Sequence, residues 1–260
     1  MHVIGFTGPP GAGKSTLISA YIRHLSASGK KIAVVAIDPT SPFNYGSLLG
    51  DRLRMSEHFN DPNVFIRSIA TRGSLGGLSE KTIEVVDVLK AADFDFIIVE
   101  TVGVGQTEIE IAGLADTTVV VMVPESGDEI QTMKSGIMEI ANVFVVNKSD
   151  REGADLFSAN LVKLVHAHAT ETWETPVIKT SATVGSGIEE MAGAIQKHAA
   201  SADVHEKKIE LLTEKAYRLI RKNRMRDIGK PVLQQIIRKA MLDSEFNIYK
   251  FAESYSQTSP

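Results

Sequence analysis

Short runs of apolar residues alternate along the chain with longer stretches in which apolar residues recur every three or four positions. Apolar runs without polar alternation are typical of strands that are buried on both faces of a sheet. The longer stretches have the period of amphipathic helices, which place one apolar side against a sheet. This pattern predicts seven strands, at residues 3–7, 32–37, 64–67, 96–100, 118–123, 143–147 and 177–180.

Helices are predicted between several of these strands, at residues 14–27, 79–92, 153–168 and 187–199. Regular alternation of strands and helices predicts an α/β fold, with a doubly wound, mostly parallel sheet and right-handed crossovers. Ligands of such sheets bind at the carboxyl ends of the strands. The loops that follow the strands are therefore the places to look for chemistry.

The pattern changes after residue 202, where no further strand is predicted and helical spacing continues over 205–226 and 232–242. Residues 206–250 carry 12 Lys and Arg against 6 Asp and Glu, a net charge of +6. We predict a domain at 1–202, a helical C-terminal arm at 203–254 and a flexible tail at 255–260. The arm is either a helical hairpin with a solvated basic face or a surface for dimerisation or partner docking.

The amino-acid composition excludes several classes of protein function. The 260 residues include no cysteine, which excludes disulfide scaffolds, thiolate metal sites and cysteine nucleophiles. A net charge of −4 gives no electrostatic basis for nucleic-acid binding. No apolar run approaches the ~18 residues of a membrane span, and Met1 leads directly into a strand rather than a signal peptide. We expect a cytoplasmic protein.

The loop after the first strand, residues 8–15, has the sequence GPPGAGKS. This is the strand–GxxxxGK[ST]–helix phosphate-binding motif in its full context. Its backbone N–H groups and the following helix N-terminus bind phosphate oxygens. We expect Lys14 to contact the β- and γ-phosphates, Ser15 to bind Mg²⁺ and Thr16 to touch the α-phosphate, with the loop itself formed by Gly8, Pro9, Pro10, Gly11, Ala12 and Gly13.

Carboxylates follow neighbouring strands. Glu100 ends the fourth predicted strand and begins a Glu-x-x-Gly sequence, in which the Gly103 N–H could sense the γ-phosphate. A carboxylate there would hold the metal, although a strand-end Glu could also simply face solvent. Asp38 and Asp51 are further candidates for the metal shell or for a switch loop, and ordinary turn chemistry would also explain them.

A second motif, Asn147-Lys148-Ser149-Asp150, follows the sixth strand. The Asp150 carboxylate can accept hydrogen bonds from guanine N1–H and N2–H₂, a donor pair that adenine lacks. Lys148 would lie over the base and Asn147 would join neighbouring loops. After the last strand, Ser181, Ala182 and Thr183 complete the predicted site, with the Ala182 N–H donating to guanine O6. The sequence therefore predicts binding of GTP and GDP.

Several longer segments, among them GFTGPPGAGKST, GSLLGDRLRM, ETVGVGQTE and SGDEIQTMKSGI, occur together with NKSD over residues 2–200. In this combination the chain resembles the MeaB-type GTPases, which include the methylmalonic aciduria type A and ArgK-like proteins. These P-loop GTPases of the metallochaperone class are chaperones of adenosylcobalamin-dependent acyl-CoA mutases.

The resemblance implies Mg²⁺-dependent GTP hydrolysis that is slow alone and stimulated by the mutase, whose cofactor loading it gates. It implies catalytic roles for Lys14, Asp51, Glu100 and Gly103, and metal binding by Ser15, Asp38, Asp51 and Glu100. It also implies a homodimer, with the adenosyltransferase as a further candidate partner. Contact with the partner is expected from Arg54, Asp128, Glu129, Gln131 and Lys134, although a solvated helix start would also explain the last four.

Other functions are open at this stage. A metallochaperone for a different metalloenzyme would share the fold, but such proteins usually carry Cys or His clusters, and the seven His here are scattered. A small-molecule kinase would share the P-loop, but NKSD and the lack of an acceptor-binding lid argue against it. A scaffold for which hydrolysis is incidental is a third possibility. The client could be a methylmalonyl-, isobutyryl-, ethylmalonyl- or 2-hydroxyisobutyryl-CoA mutase.

Overall fold

The structure of the chain is a computed structural model. It describes residues 1–38, 55–70, 80–101, 110–126, 135–166, 173–201, 229–242 and 246–257, and between 209 and 225 it describes 209, 212–213, 216–217, 219–221 and 223–225. The chain divides into two compact units, Met1–Leu211 and Leu212–Pro260. The first unit carries the predicted nucleotide site.

The first unit is built on a seven-stranded sheet in which every neighbouring pair of strands is parallel. The strand order is β3-β2-β4-β1-β5-β6-β7, so β1 lies at the centre. This order confirms the predicted doubly wound α/β fold. The strands are β1 (His2–Thr7), β2 (Ile32–Asp38), β3 (Val64–Ala70), β4 (Phe96–Glu100), β5 (Thr117–Met122), β6 (Val143–Val146) and β7 (Val177–Lys179).

Helices cover both faces of the sheet. Consecutive residues of β1, Val3 and Ile4, belong to different apolar clusters, because neighbouring side chains of a strand point to opposite faces. The cluster with Ile4 includes residues of the helices 14–26 and 188–199. A third cluster includes residues of the helices 135–140 and 154–166. The described helices of this unit are α1 (Lys14–Ser26), α2 (Glu80–Lys90), α3 (Ser135–Ile140), α4 (Ala154–His166) and α5 (Ile188–Ala199).

The described residues of the second unit are mostly helical. It contains α6 (Lys230–Ala240) and α7 (Ile248–Gln257). Pro231 lies in the first turn of α6, where its missing N–H and fixed φ are tolerated, so the helix begins two residues before the predicted start. Among the described helices of the whole chain, none combines the length and apolarity of a membrane span.

Two sequence expectations need correction. The flexible tail predicted from residue 255 is wrong for residues 255–257, because α7 continues to Gln257. Rings of Phe251 and Tyr255 pack against each other with centroids 5.9 Å apart, which supports this last turn. Helix α3 was not predicted, since six residues are too few to show a clear period. The other element boundaries agree to within three residues wherever the chain is described.

Gly5 of β1 lies against the turn Ile111–Gly113, and a Cβ there would meet Ile111 Cγ1 at 2.7 Å and Ala115 Cβ at 3.0 Å. We expect Gly5→Ala to lower the free energy of unfolding by about 1–3 kcal/mol, because it overpacks this contact. Gly193 in α5 is the matched control, since a Cβ there meets nothing within 4 Å. Gly193→Ala should raise the free energy of unfolding by about 0.5–1 kcal/mol. Urea unfolding with the same sign for both variants would contradict this prediction.

Candidate functional site

The phosphate-binding loop leaves the sheet at the end of β1 and enters α1 at Lys14. Gly8 and Gly13 have φ angles of 132° and 84°, in the region that favours glycine. A Cβ on Gly8 would lie 2.1 Å from the Val121 carbonyl oxygen of β5. The backbone of the loop thus packs directly against the neighbouring strand, and only glycine allows this approach.

Lys14 curls back over its own loop. Its Nζ donates to the carbonyl oxygens of Gly8 at 2.7 Å and Pro9 at 2.9 Å, and the residue is 6% exposed. These bonds hold the ammonium group beside the N-terminus of α1, where the helix dipole and free N–H groups also favour an anion. The cationic group expected to bind phosphate is therefore fixed at the loop.

Glu100 is buried beside Ser15. The Ser15 hydroxyl donates to Glu100 Oε1 at 2.7 Å, and Glu100 is 6% exposed, so the alternative in which it faces solvent is wrong. Strand register accounts for the contact, since Glu100 pairs with Phe6 near the end of β1. Behind this pair, Thr101 Oγ1 donates to Thr7 Oγ1 at 2.9 Å.

The oxygens of Ser15 and Glu100 are the hard donors that Mg²⁺ prefers. No group of three or more His, Asp or Glu that could hold a metal occurs among the described residues. Mg²⁺ usually takes one or two protein ligands and completes its shell with phosphate and water. A hydroxyl and a carboxylate at the phosphate loop therefore fit this ion.

Asn147 joins the two halves of the site. Its Nδ2 donates to the Ala12 carbonyl at 2.9 Å, and its Oδ1 accepts from Thr180 Oγ1 at 3.1 Å and from the Ala182 amide at 3.2 Å. The residue is 2% exposed. The bridge that the sequence assigned to Asn147 is present in the structure, and it ties the phosphate loop to the loop after β7.

The same contact involves an amide that the sequence assigns to the base. The Ala182 amide was assigned to guanine O6, but in the structure it donates to Asn147 Oδ1. A base contact at this amide would therefore have to share a hydrogen that is already used.

Asp150 lies at the edge of a cleft of about 150 Å³, which is lined by Gly13, Thr16, Asn147, Lys148, Asp150, Arg151, Ser181, Ala182 and Thr183. The Ser181 hydroxyl donates to Asp150 Oδ1 at 2.6 Å, and this bond lowers the pKa of the Asp150 carboxyl. An ionised carboxylate only accepts hydrogen bonds. Asp150 is thus held as an acceptor at the mouth of the cleft.

Lys148 and Arg151 are the cations of this cleft. Lys148 has a φ of 55° and its Nζ donates to the Gly11 carbonyl at 2.7 Å, across to the phosphate loop. Arg151 Nη1 makes a short ion pair with Glu125 Oε1, which lies just after β5. Sequence reasoning missed Arg151, although it directly follows the base motif.

The remaining predicted site residues include one at a strand end. Asp38 is the last residue of β2 and so lies at the carboxyl edge of the sheet, as expected for a site residue. Outside the described residues lie Asp51, Arg54, Gly103, Asp128, Glu129, Gln131 and Lys134.

We expect Asn147→Ala to lower the free energy of unfolding by about 1–3 kcal/mol for each buried partner left without a hydrogen bond. Thr183→Ala is the control, because Thr183 lines the same cleft without taking part in this bridge. Urea unfolding would measure both variants. Equal stability of Asn147→Ala and wild type would show that the bridge does not hold the two loops together.

Comparison with known proteins agrees with this geometry. The family model described as "Methylmalonyl Co-A mutase-associated GTPase MeaB" matches residues 1–236. A putative GTPase of Pyrococcus horikoshii is 52% identical over 201 residues, which cover 76% of this chain and 63% of the relative. The mouse mitochondrial methylmalonic aciduria type A homolog is 42% identical over 196 residues, covering 72% of this chain and 46% of that protein.

The crystal structure of a LAO/AO transport system kinase is also similar, with a TM-score of 0.67 and 25% identity. That match covers 99% of this chain and 81% of the kinase chain. Both sequence relatives are longer than this chain, which spans less than two thirds of the length of each. Because the family model covers most of the sequence, this chain belongs to the MeaB family of methylmalonyl-CoA mutase-associated GTPases.

Proposed function

We propose that this chain binds GTP and hydrolyses it to GDP and phosphate, slowly alone and faster with a protein partner. The observation that carries the proposal is the Asn147 bridge, which joins the phosphate loop to the loop beside Asp150. One nucleotide could then contact Lys14 with its phosphates and Asp150 with its base. A P-loop without the second motif would bind phosphate and leave the base unspecified.

The described residues have different roles in nucleotide binding and hydrolysis, which follow from their chemistry. Lys14 and the N–H groups of the loop stabilise negative charge on the transferred phosphoryl group, which is the main demand of phosphoryl transfer. Asp150 accepts from the guanine edge, while Lys148 spans from the base motif to Gly11 and closes one side of the cleft. Ser181 holds the Asp150 carboxylate in place.

Mg²⁺, when bound at this site, would neutralise negative charge on the phosphates. Ser15 and Glu100 would hold it, with Asp38 and Asp51 as further members of the shell. The buried hydrogen bond between Ser15 and Glu100 sets the spacing of the two oxygen donors before any ligand binds. Gly103 would sense the γ-phosphate through its N–H.

The biological role we propose is that of a chaperone for an adenosylcobalamin-dependent acyl-CoA mutase. Support comes from the family description, which names methylmalonyl-CoA mutase, and from the mouse relative, which is named for methylmalonic aciduria. The nucleotide state would gate cofactor loading and protect or reactivate the mutase, with an adenosyltransferase as a further partner. The segment with Asp128, Glu129, Gln131 and Lys134, together with Arg54, would carry the signal to the mutase.

The C-terminal arm is the proposed surface for a homodimer or for docking the mutase. Large apolar side chains in this unit are exposed, including Leu242 at 87% and Tyr249 at 79%. Residues 206–250 carry a net charge of +6, whereas the remaining residues carry −10. The basic charge of the arm favours contact with an acidic surface on a partner.

The alternative function is that of a P-loop kinase for a small molecule, which the name of the solved LAO/AO relative raises. Asp150 favours the GTPase, because a carboxylate held by Ser181 at the base cleft matches guanine. Transfer of phosphate to an amino acid rather than to water would show that the protein is a kinase.

We expect Asp150→Asn to weaken GTP and GDP binding about 10- to 150-fold, the equivalent of about 1.5–3 kcal/mol for a charged hydrogen-bonding partner. The variant should gain affinity for xanthine nucleotides, because the Asn amide can donate to the carbonyl at that position of xanthine. Calorimetry with GTP, ATP and XTP would measure both changes. Equal affinity of the wild type for ATP and GTP would refute guanine specificity.

We expect the mutase to accelerate GTP turnover by the wild type, and Lys134→Ala to lose this stimulation while keeping its nucleotide affinity. Lys134 is proposed to contact the mutase, whereas the Asp150 cleft binds the nucleotide. Turnover measured against mutase concentration would test this, with Lys14→Ala as the variant that should not hydrolyse GTP at all. Equal stimulation of wild type and Lys134→Ala would exclude Lys134 from the signal.

A further inference from the structure

Helix α1 carries a line of polar side chains that starts at the nucleotide site. Ser15, Ser19 and Arg23 are spaced by four residues, so they lie one above the other on a single face. Ser15 belongs to the predicted metal site, whereas Ser19 is 4% exposed and is not among the predicted nucleotide-binding residues. Polar groups buried in this way destabilise the fold unless they are hydrogen-bonded.

The partners of Ser19 and Arg23 come from the short helix Ser56–His58, 34 to 39 positions later in the chain. The Ser19 hydroxyl makes a short hydrogen bond to Glu57 Oε1, and His58 Nε2 lies 2.8 Å from the same hydroxyl. Arg23 Nη1 lies 3.0 and 3.1 Å from the two Glu57 oxygens. We call these four residues, Ser19, Arg23, Glu57 and His58, the α1 clasp.

The protons of the clasp can be assigned. The bond from Ser19 lowers the pKa of the Glu57 carboxyl, so Glu57 is an ionised acceptor and the hydroxyl donates to it. The same hydroxyl must then accept from His58 Nε2–H. Burial lowers the pKa of His58, which favours the neutral imidazole. The proton is assigned to Nε2 because the Ser19 hydroxyl already donates to Glu57. Each hydrogen bond in this series therefore depends on the neighbouring group being in place.

The clasp lies next to Met55, which packs in the core. Met55, the first described residue after position 38, is 1% exposed and belongs to the same apolar cluster as Ile18 and Ile22 of α1. Asp51 lies four residues before Met55, and four residues span at most about 14 Å. A fixed Met55–His58 therefore anchors the described end of the segment that carries Asp51.

We propose that Ser19, Glu57 and His58 are positioning residues for GTP hydrolysis, which fix the turn Met55–His58 against helix α1. This inference rests on the proposed function, in which Asp51 contributes to the metal site. The Arg23–Glu57 ion pair is half-exposed and adds little by itself, so the buried Ser19 bond is the anchor.

The first test is independent of activity. Trypsin can cut the whole chain after Arg54, directly before the clasp, and after Arg224 in the second unit, which serves as the internal reference. Ser19→Ala and Glu57→Ala should speed the cut after Arg54 about 10-fold or more relative to the reference, because loss of a charged hydrogen bond makes local opening easier. Ile22→Val, which removes one methyl from the same helix, should leave this ratio unchanged.

The second test measures single-turnover GTP hydrolysis at saturating Mg²⁺. Ser19→Ala and Glu57→Ala should lower the rate constant about 10- to 100-fold while GDP affinity stays within about two-fold, because misplacement affects the transition state more than binding. Glu57→Gln should retain most of the rate, since its amide oxygen still accepts from Ser19. Ile22→Val should behave as wild type.

Unchanged cleavage after Arg54 in both clasp variants would overturn the inference, as would a rate that falls equally in Ile22→Val. Loss of GDP affinity in parallel with the rate would also overturn it, because the clasp would then only stabilise the fold. A wild type that does not hydrolyse GTP would instead remove the proposed function, and the cleavage assay would still decide whether the clasp holds the chain.

Discussion

Strand β1 pairs with β4 on one side and with β5 on the other, and this double pairing determines where the phosphate loop leaves the sheet. Register with β4 places Glu100 opposite Phe6, beside the helix that begins with Lys14 and Ser15. Register with β5 brings the Val121 carbonyl so close to Gly8 that no side chain fits there. The remaining parts of the site are arranged around this central strand.

Buried polar groups at this edge of the sheet are held by one another. Lys14, Ser15, Glu100 and Asn147 all have little exposure, and each has a hydrogen bond within the site. Burying such groups costs free energy, which hydrogen bonds offset when their geometry is good. A site whose donors and acceptors are already oriented requires less reorganisation when charge develops on a phosphate. The Ser181 hydroxyl likewise orients the exposed Asp150 carboxylate before a ligand binds.

The described contacts also suggest how separate strand ends act together. Asn147 connects the loops that follow β1, β6 and β7, and the Arg151–Glu125 ion pair connects the ends of β6 and β5. The α1 clasp joins the helix after β1 to the chain between β2 and β3. Nucleotide-dependent changes at one loop could thus reach its neighbours through direct contacts, which is what the proposed chaperone function would require.

The sequence by itself determined the fold class, the phosphate loop and the base motif. These features are local: unbroken apolar runs mark buried parallel strands, and residues 8–15 and 147–150 carry their chemistry at fixed short spacing. Tertiary structure alone decided that Glu100 is buried against Ser15, that the Ala182 amide is used by Asn147, and that Ser181 orients Asp150. It also decided that Glu57 and His58 meet Ser19. These contacts join residues more than thirty positions apart, so their geometry depends on strand order and register, which no local pattern encodes.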